Sequence, residues 1–152
     1  MSAPSTQHSY TIKEAAALTG LPASTLRYYE SIGVIQPISR GASSGHRIYD
    51  DSDLDQLMWV ACLAATGMSV SDMRQYVANG RLGVAAADQQ IELLAAQERR
   101  LALEAEQIVL RQRYVGLKLD YWHAVQAGDT ARAETLSARA RALADELRAN
   151  RP

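Results

Sequence analysis

Cys62 is the one thiol in this 152-residue sequence and its best candidate for a nucleophile. A thiolate attacks carbonyl carbons and other soft electrophiles and forms a covalent adduct. If Cys62 lies on a helix, its neighbours three and four positions away include no basic side chain. An enzyme needs an acid or a base beside its nucleophile, so this pattern does not favour an enzyme. A single cysteine also excludes an internal disulfide and a metal site built from several thiolates of one chain.

Cationic side chains are grouped in two short segments, although the whole chain carries a formal charge of −1. Arg27 and Tyr28 lie in one segment, and Arg40, His46 and Arg47 lie in the other. Arginine can offer two parallel donors to a phosphate or to a guanine edge, and a tyrosine hydroxyl can donate to a phosphate. This local grouping favours DNA binding. The alternative is that the arginines are solvated surface residues and the tyrosines belong to the core.

The first cationic segment lies on the second of two predicted helices. Thr11 and Glu14 have the spacing of a capping box, and Gly20 ends the helix that they begin. A second helix is predicted over Ala23–Ser31 and ends before Gly33. Two short helices joined by a tight turn are typical of a helix-turn-helix, whose second helix enters the major groove of DNA by its N-terminal end. The side chains at that end are Ser24, Thr25, Arg27 and Tyr28.

The second cationic segment lies between two β-prone pairs, Val34-Ile35 and Ile48-Tyr49. The intervening residues 36–47 include proline, glycine and serine, which favour a turn. We therefore expect a short hairpin that forms a wing beside the helix-turn-helix and carries the three cations of this segment.

Two further helices are expected in the first half of the chain. One runs over about Leu54–Thr66 and follows candidate N-caps at residues 51–53. The other runs over Val70–Ala78 and is capped by Ser69. A hinge is expected at residues 79–83, where an Asn-Gly pair and a further glycine occur.

A long helix is predicted over Val84–Val125, which contains no proline and one glycine. Apolar residues recur in it every seven positions, the spacing of a coiled-coil seam. The seam consists of Leu94, Leu101, Ile108, Val115 and Trp122. A second apolar row, which includes Leu103 and Leu117, lies about 200° around the helix and needs a cover of its own. An amphipathic helix over Ala131–Ala149 could supply that cover. Because aromatic residues make up only 6% of the chain, these patterns predict a mainly α fold.

Five sequence motifs occur in order between residues 10 and 69. They are Tyr10-Thr11-Ile12-Lys13-Glu14-Ala15-Ala16, Leu26-Arg27-Tyr28-Tyr29-Glu30, Gly33-Val34-Ile35, Gly45-His46-Arg47-Ile48-Tyr49 and Gly67-Met68-Ser69. In this order they resemble the MerR family of transcriptional regulators. The resemblance implies a winged helix-turn-helix, a homodimer joined by an antiparallel coiled coil, and a palindromic element in double-stranded promoter DNA as the target. It also implies that the dimer distorts the promoter and thereby controls its use by RNA polymerase.

The resemblance assigns roles to individual residues. Arg27 and Tyr28 on the second helix, with Arg47 and Tyr49 in the wing, would hold the DNA backbone. Ser69 would begin a helix whose first N–H groups face a phosphate. The dimer contacts would be made by Leu94, Leu101, Ile108, Val115, Leu119 and Trp122.

Two further segments resemble the short-tailed NmlR/AdhR branch of the MerR family. They are Cys62-Leu63-Ala64-Ala65-Thr66-Gly67-Met68-Ser69 and Leu117-Lys118-Leu119-Asp120-Tyr121-Trp122. Regulators of that branch respond to reactive aldehydes, other electrophiles or nitrosative stress, and Cys62 occupies the position of their cysteine. A reactive small molecule is therefore one expected inducer. The alternative is a structural, buried Cys62 in a regulator that responds to a noncovalent effector or to none.

The patterns divide the chain into four segments. We expect a disordered tail over residues 1–9, a DNA-binding domain over 10–80, a dimerisation helix over 84–126 and a C-terminal helix over 129–149. No run of ~20 apolar residues is present, so a membrane partner is not expected. The first nine residues are polar and lack the charged start and apolar run of a signal peptide, and the predicted location is the cytoplasm, at the nucleoid. No cofactor or metal is expected. A more remote alternative is a coiled-coil adaptor, which accounts for the long helix but not for the wing.

Overall fold

The computed structural model describes residues 8–150, which are mainly helical. The chain divides into two compact units, with the boundary between Leu94 and Ala95. The helices are α1 (Ile12–Thr19), α2 (Ala23–Ser31), α3 (Asp51–Ala65), α4 (Val70–Leu82), a 3-10 turn (Gly83–Ala86), α5 (Ala87–Gln126) and α6 (Thr130–Ala149). Within the described range, no helix is both long enough and apolar enough to span a bilayer. Of the predicted tail, residues 1–7 lie outside the described residues.

Helices α1 and α2 form the predicted helix-turn-helix. The Thr11 hydroxyl accepts from the Glu14 amide at 3.2 Å, and a Glu14 carboxylate oxygen accepts from the Thr11 amide at 3.1 Å. This is the reciprocal capping box that the sequence predicts. Gly20 ends α1 with a φ of +73°, in the left-handed region that glycine adopts without strain. The predicted bounds of α2 are confirmed.

The wing differs from the predicted pairing of two β-prone segments. Val34 and Ile35 are buried in the core and form no strand with Ile48-Tyr49. The described β-structure is limited to two isolated antiparallel bridges, Arg40 with Arg47 and Tyr10 with Tyr49. The Ile48 amide also donates to the Ser39 carbonyl at 2.7 Å. The wing is therefore a short loop closed at residues 39–48, and its return segment pairs with the residues before α1.

Helices α3 and α4 are both longer than predicted. Helix α3 begins earlier because Asp50, rather than a residue at 51–53, is its N-cap, and Asp50 forms a capping box with Asp53. Helix α4 continues through the predicted hinge to Leu82. The Asn79 side chain is buried there, accepts from Gln75 and donates to Gln90. The break occurs at Gly83, whose φ of +59° suits glycine.

The first unit has one hydrophobic core, to which every element from α1 to α4 contributes. Its buried members include Ala15, Leu26, Tyr29, Val34, Ile35, Ile38, Tyr49, Leu57, Val60, Met68 and Met73. Because Leu26 and Tyr29 face inward, the opposite face of α2 is directed to solvent. The core therefore fixes which side of the second helix is available for recognition.

In the second unit, α6 packs on α5 of the same chain. Ala133 and Leu136 of α6 form a buried cluster with Ala124, and Leu117 packs against it. Ala140 and Leu143 continue the buried stripe of α6. The last helix therefore covers the second apolar row at Leu117, whereas Leu103 of the same row is 59% exposed. The heptad seam stays exposed along its length, with Trp122 63% exposed.

Candidate nucleic-acid interface

Helix α2 presents polar and cationic side chains on its outer face. Ser24, Arg27 and Tyr28 are exposed and Thr25 is half-buried, while Leu26 and Tyr29 anchor the helix in the core. The Tyr28 ring lies 6.2 Å from the Tyr29 ring, so its aromatic body has a neighbour. This face has the geometry that a helix needs to approach DNA.

The tip of the wing carries two exposed cationic candidates, Arg40 and His46. The Arg40 guanidinium donates to the Gly45 carbonyl at 3.0 Å. Two backbone bonds brace the same turn, from the Gly41 amide to His46 and from the Gly45 amide to Gly41. The tip is therefore a compact hydrogen-bonded turn that holds Arg40 at the surface.

Arg47 lies at the base of the wing and is paired with Glu30 of α2. Its Nε donates to the Glu30 Oε2 at 2.5 Å, while the Glu30 Oε1 accepts from the Ile38 amide at 3.0 Å. Burial alone would raise the pKa of Glu30, but the bonds from Arg47 and Ile38 and the charges of Arg47 and Arg40 lower it. Glu30 is the last residue of the motif Leu26-Arg27-Tyr28-Tyr29-Glu30, but the sequence alone assigns it no role. Its partner is 17 residues away, and no local spacing indicates the pair.

Tyr49 does not fit its predicted contact with the DNA backbone. Its side chain is fully buried, and among the described residues its hydroxyl has no hydrogen-bond partner. Burial raises the pKa of this hydroxyl, and the charges of Arg47 and Arg27 act in the opposite direction. Tyr49 therefore lies beneath the surface as a core residue, within electrostatic range of Arg27 and Arg47.

Ser69 caps α4, as expected. Its hydroxyl accepts from the Asp72 amide at 3.1 Å, and the residue is exposed. The first turn of α4 is therefore accessible, with N–H groups that could face a phosphate.

Cys62 lies on α3 and is exposed. The alternative of a buried cysteine is wrong for the described chain, because Leu57 and Val60 occupy the inward positions of that helix. Met58 and Trp59 are exposed on the same helix. Cys62 is thus accessible to a small molecule from solvent. Among residues 8–150, no group of three or more His, Cys, Asp and Glu side chains could hold a metal ion.

The chain is similar to one known protein family and to several known regulators. Residues 10–80 match the family described as "MerR HTH family regulatory protein". A probable heavy metal-dependent transcriptional regulator of Haemophilus influenzae is 34% identical over 115 residues, which cover 74% of this chain and 84% of that protein. The chain belongs to the MerR family. The helix-turn-helix with its wing is therefore the part of the chain that matches this family, and the similar proteins are transcriptional regulators rather than enzymes.

Two further relatives of this MerR-family chain bear on its branch. The regulator AdhR of Bacillus subtilis is 33% identical over 90 residues, or 59% of this chain. The structure of HiNmlR, a MerR family regulator lacking the sensor domain and bound to promoter DNA, superposes with a TM-score of 0.66 at 25% identity. The superposition covers 85% of this chain and 96% of the HiNmlR chain. The match spans 64% of AdhR and 51% of the regulator YyaN of Bacillus subtilis.

Proposed function

We propose that this MerR-family chain binds double-stranded promoter DNA through the exposed face of α2 and the wing. The observation that carries the proposal is the surface formed by Arg27, Tyr28, Arg40 and His46, which the core of the first unit holds in place. Ser24 and Thr25 lie at the end of α2 that would enter a major groove. The first turn of α4, capped by Ser69, offers further donors for a phosphate. HiNmlR, which is similar in fold, is bound to promoter DNA in its structure.

The working unit that we infer is a homodimer joined through α5. The seam side chains remain exposed in the single chain, whereas Leu117 of the second apolar row packs against the buried cluster that α6 forms with α5. In an antiparallel pair centred on Ile108, Leu94 would face Trp122 of the partner subunit, and Leu101 would face Val115 in the same way. Leu119 lies beside this seam and is also exposed. Such pairing would remove a continuous apolar stripe from water.

Regulation in this proposal acts through the shape of DNA. Two copies bound to the two halves of a palindromic element can bend and untwist the duplex between them. The cost of that deformation depends on the sequence between the half-sites. A change in the distortion alters whether RNA polymerase meets both promoter elements on one face of the duplex. The chain itself needs no catalytic group for this function.

The proposed signal is a reactive aldehyde, another electrophile or a nitrosating agent that modifies Cys62. The thiol is exposed on α3, within the DNA-binding unit, and is accessible for attack. An adduct would add volume and polarity to the surface around Met58 and Trp59. That change could alter how this surface packs in the dimer. The similarity to AdhR supports this branch of the family.

A noncovalent effector is the second candidate, because the first unit contains a suitable cavity. It has a volume of about 210 Å³ and lies between α3, α4 and the start of α5. Trp59, Leu63 and Val77 contribute apolar walls, and Gln56 and Arg81 contribute polar groups. A small, largely apolar molecule could bind there.

Gel retardation on DNA from upstream of the chain's own gene and its neighbours tests the proposed DNA binding. We expect salt-dependent specific binding. Arg27→Ala should weaken it by ~1–3 kcal/mol, because the variant lacks a charged donor at the recognition helix. Arg139→Ala, which removes an exposed arginine of α6, is the matched control and should bind as the unmodified chain does. An adaptor would show no specific binding in freshly prepared protein.

Induction experiments with Cys62→Ser separate the two proposed signals. The serine variant should keep its affinity for promoter DNA, because position 62 is outside the proposed interface. It should lose induction by aldehydes or nitrosating agents, because serine is not a soft nucleophile at neutral pH. A reporter fused to the promoter measures the induction, and gel retardation measures the affinity. Normal induction of this variant would instead support a noncovalent effector.

A further inference from the structure

We propose that Glu30 is a positioning residue for DNA binding, which fastens the wing to α2 so that the two cationic elements meet DNA as one rigid surface. This inference rests on the proposed binding of promoter DNA. It assigns to the Glu30–Arg47 pair a role other than direct contact, and it changes the expected role of Arg47.

The two oxygens of one carboxylate hold the two sides of the wing. Oε1 accepts from the Ile38 amide, where the chain enters the wing, and Oε2 accepts from the Arg47 Nε, where the chain returns. Immediately beside these residues, the Ile48 amide donates to the Ser39 carbonyl at 2.7 Å. The base of the wing is therefore closed on itself and tied to the last turn of α2 at the same level.

Burial makes this ion pair different from an ordinary surface pair. The side chains of Arg47 and Glu30 are 20% and 13% exposed, whereas those of Arg148 and Asp145 on α6 are 75% and 79% exposed. Exposed pairs contribute little, because water screens them and long side chains must be ordered. Loss of one member of a shielded, hydrogen-bonded pair leaves the other charge without its partner. We therefore expect the wing to depend on both members.

The negative charge of the Glu30 carboxylate, taken alone, opposes the binding of DNA. Phosphates repel it, so removal of a bystander carboxylate would strengthen DNA binding. If Arg47 held a phosphate directly and Glu30 merely neutralised part of its charge, removal of Glu30 would also strengthen binding. If Glu30 positions the wing, its removal weakens binding despite the more favourable net charge. The two hypotheses thus differ in the sign of the effect.

The deciding variant is Glu30→Gln, compared with Asp55→Asn as a control that removes an exposed carboxylate from α3. Fluorescence anisotropy with the upstream promoter duplex, at several salt concentrations, gives the affinity and its salt dependence. We expect Glu30→Gln to bind about ten-fold more weakly. The slope of the logarithm of the binding constant against the logarithm of the salt concentration should become shallower by about one for each phosphate that the wing no longer neutralises. Asp55→Asn should bind equally well or more tightly.

Hydroxyl-radical footprinting of the same complexes shows which nucleotides of the duplex remain protected, and the protected positions near the wing can be distinguished from those at α2. Glu30→Gln should lose the protection given by the wing and keep that given by α2. Affinity equal to or above that of the unmodified chain, with an intact wing footprint, would overturn the proposal and leave the proposed function standing. Failure of the unmodified chain to bind any upstream duplex would overturn both.

Arg47→Lys provides a second test, which also decides the matter if Glu30→Gln does not fold. Lysine keeps the positive charge but lacks the Nε donor that meets Glu30. The positioning role predicts weakened binding and no wing footprint, with thermal unfolding close to that of the unmodified chain. Retained affinity would show that a charge alone at position 47 is sufficient, which contradicts the proposal.

Discussion

Two polar side chains near the base of the wing differ in how their hydrogen-bonding capacity is used. The Glu30 carboxylate binds an amide and a guanidinium, whereas the buried Tyr49 hydroxyl has no partner in the described chain. An unmade hydrogen bond at a buried hydroxyl carries a desolvation cost. At the scale of single residues, Glu30 therefore stabilises the wing and the Tyr49 ring stabilises the core, while the Tyr49 hydroxyl opposes folding.

Removal of the Tyr49 hydroxyl should stabilise the chain. We expect Tyr49→Phe to raise the free energy of unfolding by about 1 kcal/mol, because the ring stays packed and an unpartnered polar atom is removed. Urea unfolding followed by circular dichroism measures the change. The affinity for promoter DNA should not change, because this hydroxyl is not at the surface.

Tyr10→Phe is the matched control for that experiment. The Tyr10 hydroxyl donates to the Asp51 carboxylate at 3.0 Å, so its removal breaks a hydrogen bond and should not stabilise the chain. A stabilised Tyr10→Phe together with a destabilised Tyr49→Phe would contradict this account of the two hydroxyls.

At the scale of elements, the parts that the sequence predicts well are those with local causes. The capping box of α1 and the bounds of α2 depend on residues a few positions apart, and both are confirmed. The N-cap of α3 is harder to predict, because residues 50–53 are Asp-Asp-Ser-Asp and all of them are good caps. Ser52–Asp55 and Asp53–Gln56 have the same spacing as Asp50–Asp53, so the capping-box pattern alone does not single out the observed cap.

The parts that escape prediction depend on contacts distant in sequence. Tyr49 pairs with Tyr10, and Arg47 pairs with Glu30, so neither partner follows from the β-prone segment itself. Helix α4 passes through Gly80 because Asn79 bonds to Gln90 at the start of α5. The α2 face and the wing tip of the candidate interface therefore follow from the sequence, while the roles of Arg47 and Tyr49 require the tertiary structure.

The seam of α5 is the element on which the proposed dimer depends. Ile108 lies at its centre, so an antiparallel partner would place the same residue opposite it. Ile108→Glu would bring two carboxylates together in an apolar seam and should convert the dimer to a monomer. Size-exclusion chromatography with light scattering measures the mass. The affinity for promoter DNA should fall when the dimer is lost, because each monomer then binds its half-site alone.

Val84→Glu is the control for this substitution. It also replaces an exposed β-branched residue with glutamate, but Val84 lies in the 3-10 turn outside the seam. This variant should remain a dimer and bind DNA normally. If Ile108→Glu also stays dimeric, the seam is not the dimer interface.

At the scale of the whole molecule, the proposed function requires two copies on one duplex. A net charge of −1 gives a chain little general attraction to DNA, so binding depends on local surfaces and on their duplication. Two linked half-site contacts gain affinity over one, because the second contact is made within a complex. They also provide opposed points from which the intervening DNA can be bent.

The mass of the complex with promoter DNA tests this claim most directly. Sedimentation of the unmodified chain with the upstream duplex that it binds should show two chains of 16.6 kDa per duplex, and footprinting should show two symmetric protected halves. A saturated complex with one chain per duplex and a single protected patch would contradict the account.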